Sequence, residues 1–269
     1  MPEIFYDTHA HLDYPDYSAD LTAVLDRAQA AGITKMISIG TDLDSSRRAI
    51  ALSEKFPAVF AVVGWHPGDA SSAPADIRIE LRQLAAHPKV VALGETGLDY
   101  YRLPSSLGKS TAEDEINKKK QAELFRQHLE VAADMGLNCV IHNRVALDDT
   151  LALMQPFAGS VRGVFHCFVD DPAAAQRVLD LGSLVSFTGI VSFKNAPVVR
   201  ETVAAVPLGK FMLETDCPYL APIPYRGKRC EPAYVKEISE VVAQVKNCSL
   251  PDLSAATCAT AHSFFSKLS

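Results

Sequence analysis

Short apolar runs alternate along the chain with longer stretches whose apolar residues recur every three or four positions. The runs Ile4–Thr8, Thr34–Gly40, Val59–Gly64, Val90–Gly94, Asn138–His142, Gly163–Phe168, Leu184–Phe187 and Phe211–Thr215 predict strands. The stretches Asp20–Ala31, Asp42–Lys55, Ala75–Ala86, Glu113–Met135, Val145–Gln155, Pro172–Leu181, Pro197–Ala205, Glu231–Val245 and Leu253–Lys267 predict helices. The strand runs are rich in Val and Ile, as expected when both faces of a parallel sheet are buried. Gly32, Gly136 and Gly182 stand just past predicted helix ends, where a left-handed residue closes the last turn. Eight consecutive strand–helix units in 269 residues predict an α/β fold, a (β/α)8 TIM-like barrel taken as a single domain over residues 1–269. An open doubly wound sheet is the alternative. The longest irregular piece, Tyr100–Thr111, is expected to form a loop or flap at the rim.

Composition narrows the class. A hydrophobic content of 48% supports a sizeable core. The formal net charge of −6 argues against a protein that coats nucleic acid through bulk positive charge. It leaves open a site whose local field is set by bound cations. Met1-Pro2-Glu3 does not resemble the start of a signal peptide, and no apolar run approaches the ~20 residues of a membrane span. The expectation is a soluble cytoplasmic protein with no membrane partner, and a monomer is compatible with the sequence. The six cysteines form no C-x-x-C pair and are read as free thiols.

The chemistry collects where the predicted strands end. His9 and His11 follow the first strand, His66 the third, Glu95 the fourth, His142 the fifth, His166 the sixth, and Glu214 and Asp216 the eighth. Five of the eight histidines thus fall at points that a barrel brings to one mouth. His9 and His11 are two residues apart, so on a strand both face the same side. Nitrogen and carboxylate ligands without a thiolate pattern suit Zn, Mn, Fe or Mg. His9, His11, Glu95, His142, His166 and Asp216 are too many for one tetrahedral ion. They suit two divalent ions, with Glu95, midway in strand order, as the bridge. Two ions about 3.5–4 Å apart lower the pKa of a shared water and stabilise the oxyanion that its attack creates. Asp216 is then read as holding the water's proton as well as a metal.

Several segments resemble the TatD family of metal-dependent hydrolases. They are Asp7-Thr8-His9-Ala10-His11-Leu12, Gly64-Trp65-His66-Pro67, Gly94-Glu95-Thr96-Gly97-Leu98-Asp99-Tyr100-Tyr101, Ile141-His142-Asn143-Arg144, His166-Cys167-Phe168, Phe187-Thr188-Gly189 with Phe193-Lys194, Leu213-Glu214-Thr215-Asp216-Cys217-Pro218-Tyr219-Leu220, and Arg226-Gly227-Lys228. They run in the family's order over nearly the whole chain. The resemblance implies a barrel of the amidohydrolase type, with metal positions at His9, His11, Glu95, His142, His166 and Asp216. It also implies a deoxyribonuclease cleaving phosphodiester bonds, with 3′-5′ exonuclease activity on single strands in some members. Related members act on other esters, including aminoacyl-tRNA. The chain departs from the family's pattern at Cys230 and Thr260, where Asn is usual, and in a longer loop after Tyr101, spanning residues 102–117.

A nucleic-acid substrate needs cations beyond the metals. Arg144 and Lys194 stand just past the fifth and seventh strands, and Arg226, Lys228 and Arg229 follow the eighth. These residues, with His66, are the expected substrate contacts, since Arg grips phosphate bidentately and Lys acts as a point charge. Trp65, Tyr100, Tyr101 and Tyr219 are candidates for base stacking. Asp99 is read as orienting a ligand or loop, and His87, His128 and His262 as structural or surface groups. Two other readings compete. A C–N or carboxylic ester hydrolase on a small molecule is one, although such amide hydrolases often bridge their metals through a carbamylated lysine and the fourth strand ends in Glu95. A catalytically silent binding barrel is the other, and it predicts missing ligand residues, of which none is missing.

Overall fold

The computed structural model describes residues 3–268; Met1, Pro2 and Ser269 lie outside the described residues. Strand and helix alternate as β1 Phe5–Ala10, α1 Leu21–Ala30, β2 Ile33–Ile39, α2 Leu43–Lys55, β3 Val59–Val63, α3 Arg78–Ala85, β4 Val90–Asp99 and α4 Thr111–Met135. Then follow β5 Cys139–Arg144, α5 Leu147–Met154, β6 Gly163–Phe165, α6 Pro172–Asp180, β7 Leu184–Phe187, α7 Pro197–Ala205, β8 Phe211–Leu213, α8 Val235–Lys246 and α9 Leu250–Phe264. The eight strands pair in sequential order, all parallel. The predicted (β/α)8 barrel is therefore the observed one, and the open sheet is not. No helix among the described residues is long and apolar enough to cross a membrane.

Closure from β8 back to β1 happens at the carboxyl ends of the two strands. Asp216 N donates to His9 O and His11 N to Cys217 O, each at 2.9 Å. Below them the buried Asp7 carboxylate accepts from Thr215 N at 2.9 Å and from Thr215 Oγ1 at 2.6 Å. The last contacts of the barrel are thus made by the residues that flank the predicted site.

The barrel interior is apolar. Ile37, Ile39, Phe60, Val62, Val91, Val140, Val164, Leu184 and Met212 meet there, and Ala261, Phe264, Phe265 and Leu268, from α9 and just beyond it, join them. Helix α9 also packs on β1 and β8, so it plugs the end of the barrel opposite the mouth. Thr260 lies on this plugging helix, with its hydroxyl donating to Ala256 O. That departure from the family's pattern therefore lies at the end of the barrel opposite the mouth. Cys230 is fully buried, and its carbonyl accepts from Tyr17 Oη at 2.6 Å. It belongs to the packing beneath the loop after β8.

Several boundaries differ from expectation, and three of them differ for a visible reason. Strand β4 runs on to Asp99 because it stays paired with β5 from Thr96–Ile141 to Asp99–Arg144. Helix α4 starts at Thr111, where Ser110 and Glu113 form a capping box, so part of the supposed loop 102–117 is helix. Between them, Pro104–Leu107 forms a 3-10 turn. Helix α9 starts at Leu250, behind the cap of Ser249 on Asp252 N.

Phe264→Ala would leave a hole where α9 seals the barrel. The expected loss is about 3–5 kcal/mol, read as a lower urea midpoint, and an unchanged midpoint would contradict the plug.

Candidate metal centre

Two β-bulges aim the central groups. On β1, Asp7 pairs with Met36 and Ala10 with Ser38, so β1 carries one residue more than β2. Tyr6 packs against the barrel interior. A regular alternation from there would turn Thr8 inward and His9 outward; the bulge breaks that alternation. On β4, Leu93 pairs with Cys139 and Thr96 with Ile141, which leaves an extra residue at Gly94–Glu95. A Cβ at position 94 would lie 2.5 Å from Val140 O, and Gly94 has φ +137°, so only glycine fits this approach of β5. The mouth is strained elsewhere too. Val145, Cys167 and Asp216 follow β5, β6 and β8 with φ of 57°, 48° and 57°. Such positions cost on the order of 1–3 kcal/mol each and cluster at functional sites.

The bulges bring Glu95, 2% exposed, to the centre of five imidazoles. Its Oε2 lies 3.4 Å from His9 Nε2 and 3.8 Å from His11 Nε2. Its Oε1 lies 2.8 Å from His166 Nε2, 2.9 Å from His142 Nδ1 and 3.5 Å from His66 Nε2. Asp216 Oδ1 completes the first side, 3.3 Å from His11 Nε2 and 3.7 Å from His9 Nε2. The His9 ring stacks on His166 with centroids 4.0 Å apart. One carboxylate thus faces two donor sets, one oxygen to each.

The donor set fits a cation. His9 Nε2 is buried and makes no hydrogen bond, although two carboxylates stand within 4 Å of it. Ligand atoms held at about 2.0–2.2 Å by one tetrahedral ion stand roughly 3–4 Å apart, which is the spacing here. Among the described residues, three groups have ligand atoms mutually close enough to hold an ion: His9, His11 and Asp216; His9, Glu95 and His166; and His66, Glu95 and His142.

Charge follows the packing. Burial pushes the Glu95 carboxyl up, but the His166 and His66 rings and hydrogen bonds from His142 and His166 hold it well below the usual range. Burial pushes His142 down, yet Asp99 and Glu95 lift it to about 9, and Asp216 does the same for His11. His9 and His66 have weaker compensation, and burial takes both down to about 4.

A second layer holds the first. Asp99 Oδ2 lies 3.2 Å from His142 Nε2, while its Oδ1 accepts from Tyr101 N and Arg102 N, both at 2.9 Å. It therefore orients both a histidine and the rim loop. Glu214 accepts from Cys167 N and Ser186 Oγ, each at 2.6 Å, and faces His166 Nδ1 at 3.8 Å. His128 is buried in α4 and structural: its Nε2 accepts from Trp65 N at 3.0 Å.

The predicted substrate contacts divide. His66 lies inside the cup rather than on its rim. Arg144 and Arg226 lie over aromatic rings, each 3.9 Å from the centroid of Tyr101 or Phe193. Lys194, Arg226 and Lys228 are exposed. Arg229 is consumed in structure, bound to Asp20, Glu231 and Asp16 O. Trp65 Nε1 donates to Asp69 O, so that ring is tied to its own loop, whereas Tyr101 and Tyr219 are open to solvent. Sequence reasoning passed over Tyr14, whose ring stacks on His11 with centroids 4.7 Å apart. Asp7 and Thr215 stand in the segments that resemble the family but carry no role read from the sequence. No periodicity marks any of the three.

The chain is similar to known proteins over nearly its whole length. A family model described as TatD related DNase matches residues 6–266. The chain is 35% identical over 263 residues to the uncharacterized metal-dependent hydrolase YabD of Bacillus subtilis, covering 97% of this chain and 99% of that one. It is 32% identical to the 3′-5′ ssDNA/RNA exonuclease TatD of Klebsiella pneumoniae, covering 97% of each. Among solved structures, YJJV, a TatD homolog from Escherichia coli K12, superposes with a TM-score of 0.88 at 26% identity, covering 97% of this chain and 98% of that one.

If Asp99 holds His142 in place for a metal, Asp99→Ala lowers divalent-ion affinity roughly 10–100-fold. Calorimetric titration with zinc checks this, and wild-type affinity in the variant would refute the orienting role.

Proposed function

We propose a function from the premise that the chain belongs to the TatD-related DNase family and is a metal-dependent hydrolase: it cleaves phosphodiester bonds of DNA, on single strands and from a 3′ end. The observation that carries the proposal is the single buried carboxylate shared between two clusters of imidazoles and Asp216. His9, His11 and Asp216 would hold one divalent ion, His142 and His166 a second, and Glu95 both. Zn, Mg and Mn all suit such nitrogen and oxygen donors. Bound there, the pair would lower the pKa of a water and offset charge developing on phosphorus-bound oxygens.

The chain's own residues do the rest. Asp216 is 15% exposed at its side chain, open enough to the mouth to take the attacking water's proton. Glu95 fixes the spacing of the two clusters, since each of its oxygens belongs to one. Arg144 and Arg226, each with its guanidinium carbon 3.9 Å from the ring centroid of Tyr101 or Phe193, present guanidinium groups to flanking phosphates. Exposed Tyr101 and Tyr219 offer faces to unstacked bases, which favours single strands. The printed activity of the Klebsiella pneumoniae relative on single-stranded DNA and RNA supports this substrate class. Glu95 in place of a lysine on β4 speaks against an amide hydrolase with a carbamylated bridge.

Stripping divalent ions should abolish cleavage of labelled single-stranded DNA, and adding back Zn, Mg or Mn should restore it. Parallel ester and amide panels decide the class: rapid amide or carboxylic ester cleavage with intact DNA under every ion would overturn the nuclease reading. Asp216→Asn should cut turnover roughly 10²–10⁴-fold in protein that still carries metal. Full turnover in that variant would remove Asp216 from the proton step.

A further inference from the structure

His66 sits among the candidate metal ligands, and distance alone groups it with Glu95 and His142. Its hydrogen bonds say otherwise. We infer that His66 serves the reaction as a hydrogen-bond donor through Nε2, aimed at a substrate oxygen, and does not bind metal. The donor role at phosphorus rests on the nuclease reading; the choice between donor and ligand does not.

The tautomer of His66 is fixed by its neighbours. Gly68 N donates to His66 Nδ1 at 3.0 Å, so the Nδ1 lone pair is in use and carries no proton. A neutral imidazole with a bare Nδ1 carries its proton on Nε2. An Nε2 that holds a proton has no lone pair left for a metal. The contrast with His142 is direct. There the outer nitrogen, Nε2, faces the Asp99 carboxylate at 3.2 Å, so the ring in its neutral form keeps its proton on Nε2, away from the cup, and offers the Nδ1 lone pair to a metal. His66 has the reverse arrangement, with its proton pointing inward.

The position of the ring is as constrained as its tautomer. His66 caps the short turn Pro67–Asp69, and His66 N donates to Thr41 O at 2.9 Å. The preceding residue is anchored by Trp65 N donating to His128 Nε2 at 3.0 Å, and His128 Nδ1 lies 2.8 Å from Leu124 O in α4. A Cβ at position 68 would lie 2.9 Å from His66 Nδ1, so glycine there lets the backbone N–H reach the ring. The inward Nε2 lies 3.3 Å from His142 Nδ1 and 3.5 Å from Glu95 Oε1. A substrate oxygen seated over Glu95 and His142 would meet this N–H. A fixed donor aimed where negative charge grows stabilises the transition state without moving a proton.

The test uses zinc-loaded full-length protein, with zinc content after desalting, turnover and ring-nitrogen NMR as separate readouts. His66→Ala and His66→Gln are expected to keep the wild-type zinc stoichiometry, whereas His142→Ala loses zinc. Turnover should fall roughly 10²–10³-fold in His66→Ala, and His66→Gln, which still offers an N–H, should recover part of it. The two-bond proton–nitrogen spectrum should show His66 protonated at Nε2 and bare at Nδ1. Loss of a zinc equivalent in both His66 variants, or a His66 proton on Nδ1, overturns the inference. So does full turnover in both variants on whichever substrate the wild type hydrolyses. If the wild type spares every phosphodiester, the nuclease reading fails by itself, and zinc content and the spectrum still decide the role of His66.

Discussion

A carboxylate buried among imidazoles is the constraint on which the mouth of this barrel depends. Glu95 is almost without solvent, and an ionised carboxylate there is tolerable only while cationic or donor groups surround it. The His166, His142 and His66 rings supply that compensation on one oxygen, and His9 and His11 face the other. The same surroundings that keep Glu95 ionised divide its oxygens between two clusters. In the proposed function that division sets the spacing of two cations.

The barrel is shaped to make this packing possible. A regular strand gives every second side chain to the interior, and eight regular strands would fill the mouth as they fill the apolar floor below it. The bulges at His9 and Glu95 interrupt the period at the two positions where polar groups must turn inward. Left-handed residues at Val145, Cys167 and Asp216 end three more strands abruptly. Closure between β8 and β1 is made by Asp7, Thr215 and the backbone of the site itself, so sealing the barrel and assembling the cup are one event. The opposite end is sealed by Phe264 and Phe265, which leaves the mouth as the place where polar side chains gather.

The order of elements was legible because the strands are short apolar runs, most of them holding Val or Ile, separated by longer stretches with helical periodicity, some of which carry ordinary caps. Asp42 on α2 and Asp171 on α6 start their helices as capping rules require. The convergence of His9, His11, Glu95, His142, His166 and Asp216 followed from topology alone, since all of them stand at the carboxyl ends of parallel strands. What escaped was set by tertiary contact. Strand β4 continues past Glu95 because β5 pairs with it, and a bulge has no signature in a hydrophobic period. The place of His66 inside the cup depends on a backbone N–H two residues away and on His128 from α4, neither of which a linear reading connects. Arg229 looked like a free cation until Asp20 and Glu231 were placed beside it.

The bridge can be observed directly. Anomalous diffraction from crystals soaked with zinc or manganese locates each ion without reference to activity. The expected result is two peaks about 3.5–4 Å apart, one between His9, His11 and Asp216 and one beside His142 and His166, with an oxygen of Glu95 on each. A single peak, or a pair that Glu95 does not touch, would contradict the account.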